Sequence, residues 1–185
     1  PLLWLVTFSS IILHGNWPGF EKLVLNLTGL FGFFSWHDYI ASGAWSIGNE
    51  LVFYTFFPLF IFLSKRFKIL FIVFSLLIAC IYFYFAFYIL DTHAVFSEQR
   101  QNYTNPLNQL FLFLGGFLIG LIFQNIKIKS GLNLFLFLCG VGLLVFYPVK
   151  GNMIYLVTGW NRLWFTLSCF LICLRKQMKQ VHYPQ

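Results

Sequence analysis

Charge is what this chain has least of: 9% of its 185 residues are Asp, Glu, Lys or Arg, and only five are acidic. A soluble domain of this length keeps a large surface in water and needs polar side chains to cover much of it. The shortage therefore excludes a soluble enzyme or binding module. Cysteine is scarce too, and all four copies (Cys80, Cys139, Cys169 and Cys173) stand in apolar runs. Cys169 and Cys173 share a helix face, which in lipid suits packing better than a disulfide or a metal site. Free thiols are expected, and no metal site. Residues 1–185 do not open on a stretch of signal-peptide shape with a basic start, and no internal repeat is visible in them.

What it has is apolar length. The composition is 59% hydrophobic and 22% aromatic, with a mean hydropathy of +0.79. Long apolar runs at this charge density indicate an all-α, polytopic transmembrane helical bundle. The formal charge of +7 does not point to nucleic acid, because of where the cations fall. Lys65, Arg66 and Lys68, then Lys127 and Lys129, then Arg175, Lys176 and Lys179 sit in short connections or just after the last apolar run. Glu21, Asp38, Glu50, Asp91 and Glu98 fall in or beside the other connections. That alternation is the positive-inside pattern of a multi-pass protein, basic loops in the cytoplasm.

Taken in order, Pro1–Leu13 is a short apolar run ended by the turn His14-Gly15-Asn16-Trp17-Pro18-Gly19. Leu23–Phe34 is interrupted by Asn26, Thr28, Gly29 and Gly32, and reads as re-entrant or interfacial. A helix is expected from about Ala44 to Leu63, and Ile69–Leu90 is the cleanest span. A polar loop, Asp91–Pro106, precedes spans at Leu107–Gln124 and Leu132–Tyr147, an outer loop at Pro148–Asn161 and a short last span, Leu163–Leu174. Gly116-x-x-x-Gly120, Gly140 and Gly142 are expected to admit close helix packing. Placing every basic cluster in the cytoplasm gives about six crossings, with Pro1 cytoplasmic as well. Trp45, Trp160 and Trp164 then fit an outer aromatic belt.

The helix opening Gly43-Ala44-Trp45-Ser46-Ile47-Gly48-Asn49-Glu50 organises the rest, because it carries an acid at the head of an apolar run. Ser46, Glu50 and Tyr54 recur at i, i+4 and i+8 and share one face, with Asn49 and Phe53 beside it. A charge deep in a bilayer helix costs on the order of 2.5–3.5 kcal/mol and usually faces a bundle interior or a wet cavity. The stripe is thus a candidate site, the alternative being a Glu50 that merely reaches water at the outer interface.

Trp45-Ser46-x-x-x-Glu50-x-x-Phe53-Tyr54-x-x-x-Pro58 resembles the W-S-L-S-V-E-E-Q-F-Y-L-L-x-P signature of the bacterial acyltransferase-3 family. Six residues match over fourteen positions, while Gly48, Asn49, Leu51 and Val52 depart from the commonest form. Pro1-Leu2-Leu3-Trp4-Leu5 also looks like the proline and helix start that close the family's arginine-rich segment, R-x-x-R-h-x-P. On this resemblance residues 1–185 form part of one acyltransferase-3-like membrane domain. The family's catalytic histidine and arginines are then expected upstream of Pro1, and 1–185 alone is expected to be inactive. The resemblance implies an O-acyltransferase of the bacterial inner membrane. Its donor would be acetyl-CoA or another acyl-CoA, with no bound cofactor, and its acceptor a surface polysaccharide or lipid-linked sugar such as an O-antigen. A histidine base and oxyanion donors would carry the chemistry, and arginines would hold the coenzyme's phosphates. Ser46, Asn49, Glu50 and Tyr54 would line the cavity, with Glu50 orienting or charging a catalytic partner and Ser46 donating a hydrogen bond.

Other polar residues carry weaker signals. Trp45, Asn108, Gln109 and Arg162 are candidate substrate contacts, although end-of-helix polarity also explains the two amides. Arg162 could pair with Glu50 or Asp91 or meet an anionic sugar, while snorkelling to the interface is the simpler expectation. His14 and His37 read as hydrogen-bonded loop residues, and the adjacent pair His37-Asp38 does not make a dyad by sequence alone. His93 reads as solvated and His182 as incidental, and the Asn26 and Asn102 glycosylation triplets are too common to weigh. Two other functions stay open: a transporter or flippase using Glu50 as an intramembrane site, and an inactive remnant.

Overall fold

The computed structural model describes residues 2–124, 126, 130–148 and 151–180, the side chains of 175–180 excepted. Pro1, Lys127, Lys129 and His182, and the side chains of Arg175, Lys176 and Lys179, lie outside the described residues. The chain is all-α: no strand occurs among the described residues. Its helices are α1 (Leu2–His14), α2 (Phe20–Thr28), α3 (Phe31–Phe34), α4 (Trp45–Arg66), α5 (Lys68–Tyr84), α6 (Arg100–Thr104), α7 (Pro106–Phe123), α8 (Ser130–Phe146) and α9 (Gly159–Gln180). A π-helical turn, Phe85–Ile89, continues α5, and a 3₁₀ segment, Met153–Val157, precedes α9.

Three stretches are long and apolar enough to cross a membrane: α4, α5 with its π turn, and Arg100–Phe123. At 1.5 Å per residue the 22 residues of α4 rise about 33 Å, enough for a hydrocarbon core of about 30 Å. Helices α1 and α8 are apolar but shorter, at 13 and 17 residues. The interrupted segment forms the 9-residue α2 and 4-residue α3, and α2 rises only about 14 Å, too little to span. Gly29 separates them in the left-handed region, φ +78°, where a side chain would be strained.

The residues group into two compact units, Pro1–Tyr82 with Ser97–Leu110, and Phe83–Phe96 with Phe111–Gln185. In the first, α4 and α5 form a tight hairpin about Phe67. The Phe67 amide donates to the Leu63 carbonyl and the Phe71 amide to that of Phe67, so one helix closes as the next begins. The rings of Phe60 and Phe74, each seven residues from Phe67, lie 6.0 Å apart, as antiparallel arms require. Lys65, Arg66 and Lys68 stand exposed at the tip. A small core of Phe31, Ala41 and Ala44, with Leu3, Val6, Leu25 and Tyr39 around it, joins the ends of α1–α3 to the start of α4.

The second unit is built on α8 against α9. Ser168, wholly buried, donates its hydroxyl to the Gly140 carbonyl, and a Cβ on Gly140 would stand 3.0 Å from Leu171. Gly115 plays the same part, since a Cβ there would overlap the ring of Phe170. Two expectations are corrected here. Gly140 packs closely as expected, but Gly116 and Gly142 meet nothing within 4 Å, and on α7 the close contact falls at Gly115, the residue before Gly116. Arg162 does not snorkel: it is 6% exposed, because α9 already starts at Gly159 and carries Arg162 in its first turn. Tyr147 donates to the Asn161 side-chain oxygen at 2.9 Å, and Asn161 Nδ2 donates to the Tyr155 carbonyl, ordering part of the expected loop. The four cysteines are free thiols.

Candidate functional site

The start of α4 is positioned by a backbone crossing that the sequence did not advertise. Gly32 of α3 lies directly on Gly48 of α4, and a Cβ on Gly32 would overlap the Gly48 carbonyl. A Cβ on Gly48 would strike the buried ring of Phe31 and stand 3.2 Å from the Gly32 Cα. Only glycine at both positions allows two helices this close. The crossing fixes the rotation of α4, turning Gly48, Asn49, Val52 and Phe53 inward.

It thereby turns the stripe outward. Ser46, Glu50 and Tyr54 are all exposed, Tyr54 at 58%, and Glu50 makes no ion pair among the described residues. The stripe was expected to face a bundle interior or a wet cavity; within its unit the carboxylate is on an open face. Ser46 donates its hydroxyl to the Gly43 carbonyl at 2.9 Å, closing the first turn of α4. Pro58, one turn beyond Tyr54, supplies no N–H to the Tyr54 carbonyl.

Asn49 separates from the other three. It is 2% exposed, and its Nδ2 donates to the Thr104 carbonyl at 3.1 Å, joining α4 to the end of α6. Asn108 and Gln109 act on the same short helix. Asn108 Nδ2 donates to the Asn102 and Tyr103 carbonyls at 3.3 and 2.9 Å, and Gln109 Nε2 to Tyr103 at 2.9 Å. These amides satisfy helix-end carbonyls that would otherwise lose their partners on leaving water. Trp45 packs edge-on against Tyr103, ring centroids 5.5 Å apart, and Trp36 donates its indole N–H to the Gln101 carbonyl at 3.1 Å. So Trp45, Asn49, Asn108 and Gln109 converge on α6, a helix hidden inside what the sequence showed as a polar loop.

The loop entering α4 is fixed by Asn26, which sequence reasoning passed over as a glycosylation triplet. Wholly buried, it donates to the Lys22 and Asp38 carbonyls at 2.9 and 3.0 Å and accepts from the Ile40 amide at 2.8 Å. Asp38 also faces Lys22 at 3.4 Å and His37 at 3.7 Å, the second too long for a hydrogen bond. His14 Nδ1 lies 2.8 Å from the Ser10 carbonyl. His93 is exposed, its amide bonded to the Asp91 carboxylate. Among the described residues no group of three or more His, Cys, Asp or Glu could hold a metal.

The fold and this site define a helical protein of membrane-spanning composition with a carboxylate open at the head of its central helix. The family comparison agrees with that class: the acyltransferase-3 family model, described as an acyltransferase domain, matches residues 2–175. The chain belongs to that family of membrane acyltransferases. Comparisons with curated proteins and with solved structures give no match.

Proposed function

We propose that the protein transfers an acyl group, acetyl first among the candidates, from acyl-CoA to a hydroxyl of a surface polysaccharide or lipid-linked sugar. The observation that supports this most is the signature Trp45…Pro58, carried on α4 with Glu50 exposed in a chain of this family. In this reading the chain sits in the bacterial inner membrane, crosses it about six times and keeps its basic loops in the cytoplasm. Glu50 is a positioning residue. Its carboxylate orients and charges the histidine base that the family resemblance places upstream of Pro1, and that base takes the proton from the sugar hydroxyl. The hydroxyl oxygen attacks the thioester carbonyl, and the coenzyme leaves as its thiol. Ser46 and Tyr54 flank Glu50 as hydrogen-bonding groups, while Asn49, Trp45, Asn108 and Gln109 serve the acceptor by holding α6.

The complete protein, reconstituted in lipid nanodiscs with carbon-14-labelled acetyl-CoA and the cell's own surface glycan, tests the proposal. Label fixed in the glycan as an alkali-labile ester supports it. Movement of unmodified glycan lipid across liposomes without acyl-CoA, and no ester, would replace it with the flippase reading.

A further inference from the structure

The first unit has a second polar feature that the acyl-transfer reading does not use. A cavity of about 260 Å³ opens between the loop before α4 and the segment around α6, lined by His37, Tyr39, Ser97, Arg100, Gln101 and Thr104. It lies just below the ~300–1,000 Å³ range of drug-sized small-molecule sites, and none of its six lining side chains is aliphatic. The Arg100 guanidinium carbon lies 4.9 Å from the centre of the Tyr39 ring, within reach of a cation–π contact. The indole of Trp36 abuts His37 edge-on, ring centroids 5.9 Å apart. No ion pair joins Arg100 to an acid among the described residues. The nearby Asp38 is engaged by Lys22, and Glu98 is exposed and does not line the cavity.

We infer that this cavity binds an anionic saccharide, its acid group on Arg100 and its ring against Tyr39. A guanidinium takes a carboxylate or phosphate in paired, charge-assisted hydrogen bonds. Aromatic faces beside amide and hydroxyl groups suit the mixed apolar and hydroxylated faces of a sugar. The cavity is also tied to α4: Asn26 fixes its His37–Tyr39 wall, and Asn49, next to Glu50, bonds the carbonyl of the lining residue Thr104. The inference rests on the acyl-transfer reading in naming the saccharide as the acceptor, and it adds the acceptor's charge. An aliphatic groove for lipid tails is not among the lining groups, which favours a sugar over an anionic lipid headgroup.

Binding is measured without acyl-CoA, so that its failure is separable from failure of transfer. The probes are tetragalacturonate and its fully methyl-esterified, uncharged form, applied to the complete protein in nanodiscs of neutral lipid and followed by isothermal titration. The acid should bind at least about tenfold more tightly than its ester, roughly the worth of one hydrogen bond to a charged group. Arg100→Gln should abolish that preference and Arg100→Lys should retain part of it. Equal binding of the two probes, no binding of either, or loss of acid binding on adding phosphatidylglycerol at nanodisc level would overturn the inference. Saccharide binding with no acyl transfer would leave the cavity assignment standing and remove the enzymatic one.

Discussion

Replacing Gly32 by alanine perturbs the contact on which the orientation of α4 depends. The new Cβ would stand 2.6 and 2.9 Å from the carbonyl carbon and Cα of Gly48, inside the approach that real Cβ atoms reach. These are backbone atoms, so no side chain can swing aside, and the neighbouring Phe31 is wholly buried. Helix α3 must therefore shift. Overpacking of this kind costs about 1–3 kcal/mol, and alanine's better helix propensity returns up to about 1 kcal/mol. At the middle of both ranges the net expectation is a loss of about 1–2 kcal/mol. For a chain near 185 residues each kcal/mol moves Tm by about 2–4 °C, so Tm should fall by about 2–8 °C. Gly116→Ala is the control. It is a helical glycine with nothing within 4 Å, and its Tm should hold or rise. Both are read by intrinsic-fluorescence melting in the same detergent. A Gly32→Ala protein as stable as Gly116→Ala would refute the crossing.

Asn49 gives a prediction that depends on charge and not on size. Asn49→Asp buries a carboxylate against the Thr104 carbonyl and should destabilise by about 3 kcal/mol or more. Asn49→Leu introduces no charge but leaves the Thr104 carbonyl without its donor, and should cost about 1–3 kcal/mol, less than Asn49→Asp, both measured by denaturant or thermal melts. Asn26→Ala should cost about 2 kcal/mol, because the Ile40 amide and the Asp38 carbonyl lose their partner. It should also raise amide hydrogen exchange across residues 37–41, and unchanged exchange there would count against the assignment.

The helical layout was legible because apolar run length and charge placement determine it directly. The stretch Trp45–Arg66 was anticipated at Ala44–Leu63, and Leu23–Phe34 was already recognisable as too interrupted for an ordinary span. What sequence patterning could not supply was the rotation of each helix. Spacing puts Ser46, Glu50 and Tyr54 on one face, but says nothing of which neighbour takes the opposite face. That was decided by Gly32 on Gly48, a contact whose two members lie in separate apolar runs. Gly48, Asn49 and Val52, three of the departures from the family's commonest signature, prove to be among the residues that α4 turns inward. Arg162 was misread because the start of α9 at Gly159 leaves no local mark beyond the glycine itself. Short α6 was hidden for a similar reason: its five polar-rich residues carry no period, and the buried amides that hold it come from α4 and α7.

The central claim is that the open carboxylate of α4 serves acyl transfer. The direct measurement is the rate of transfer from labelled acetyl-CoA to the native glycan by the complete protein carrying Glu50→Gln, beside wild type, in the same nanodiscs. Because Glu50 is exposed, the substitution should leave the stability within about 1 kcal/mol of wild type. The turnover rate should fall by about 10²-fold or more, as expected when a base loses the group that orients and charges it, with little change in the KM for acetyl-CoA. A Glu50→Gln protein that acylates the glycan at the wild-type rate would contradict the account.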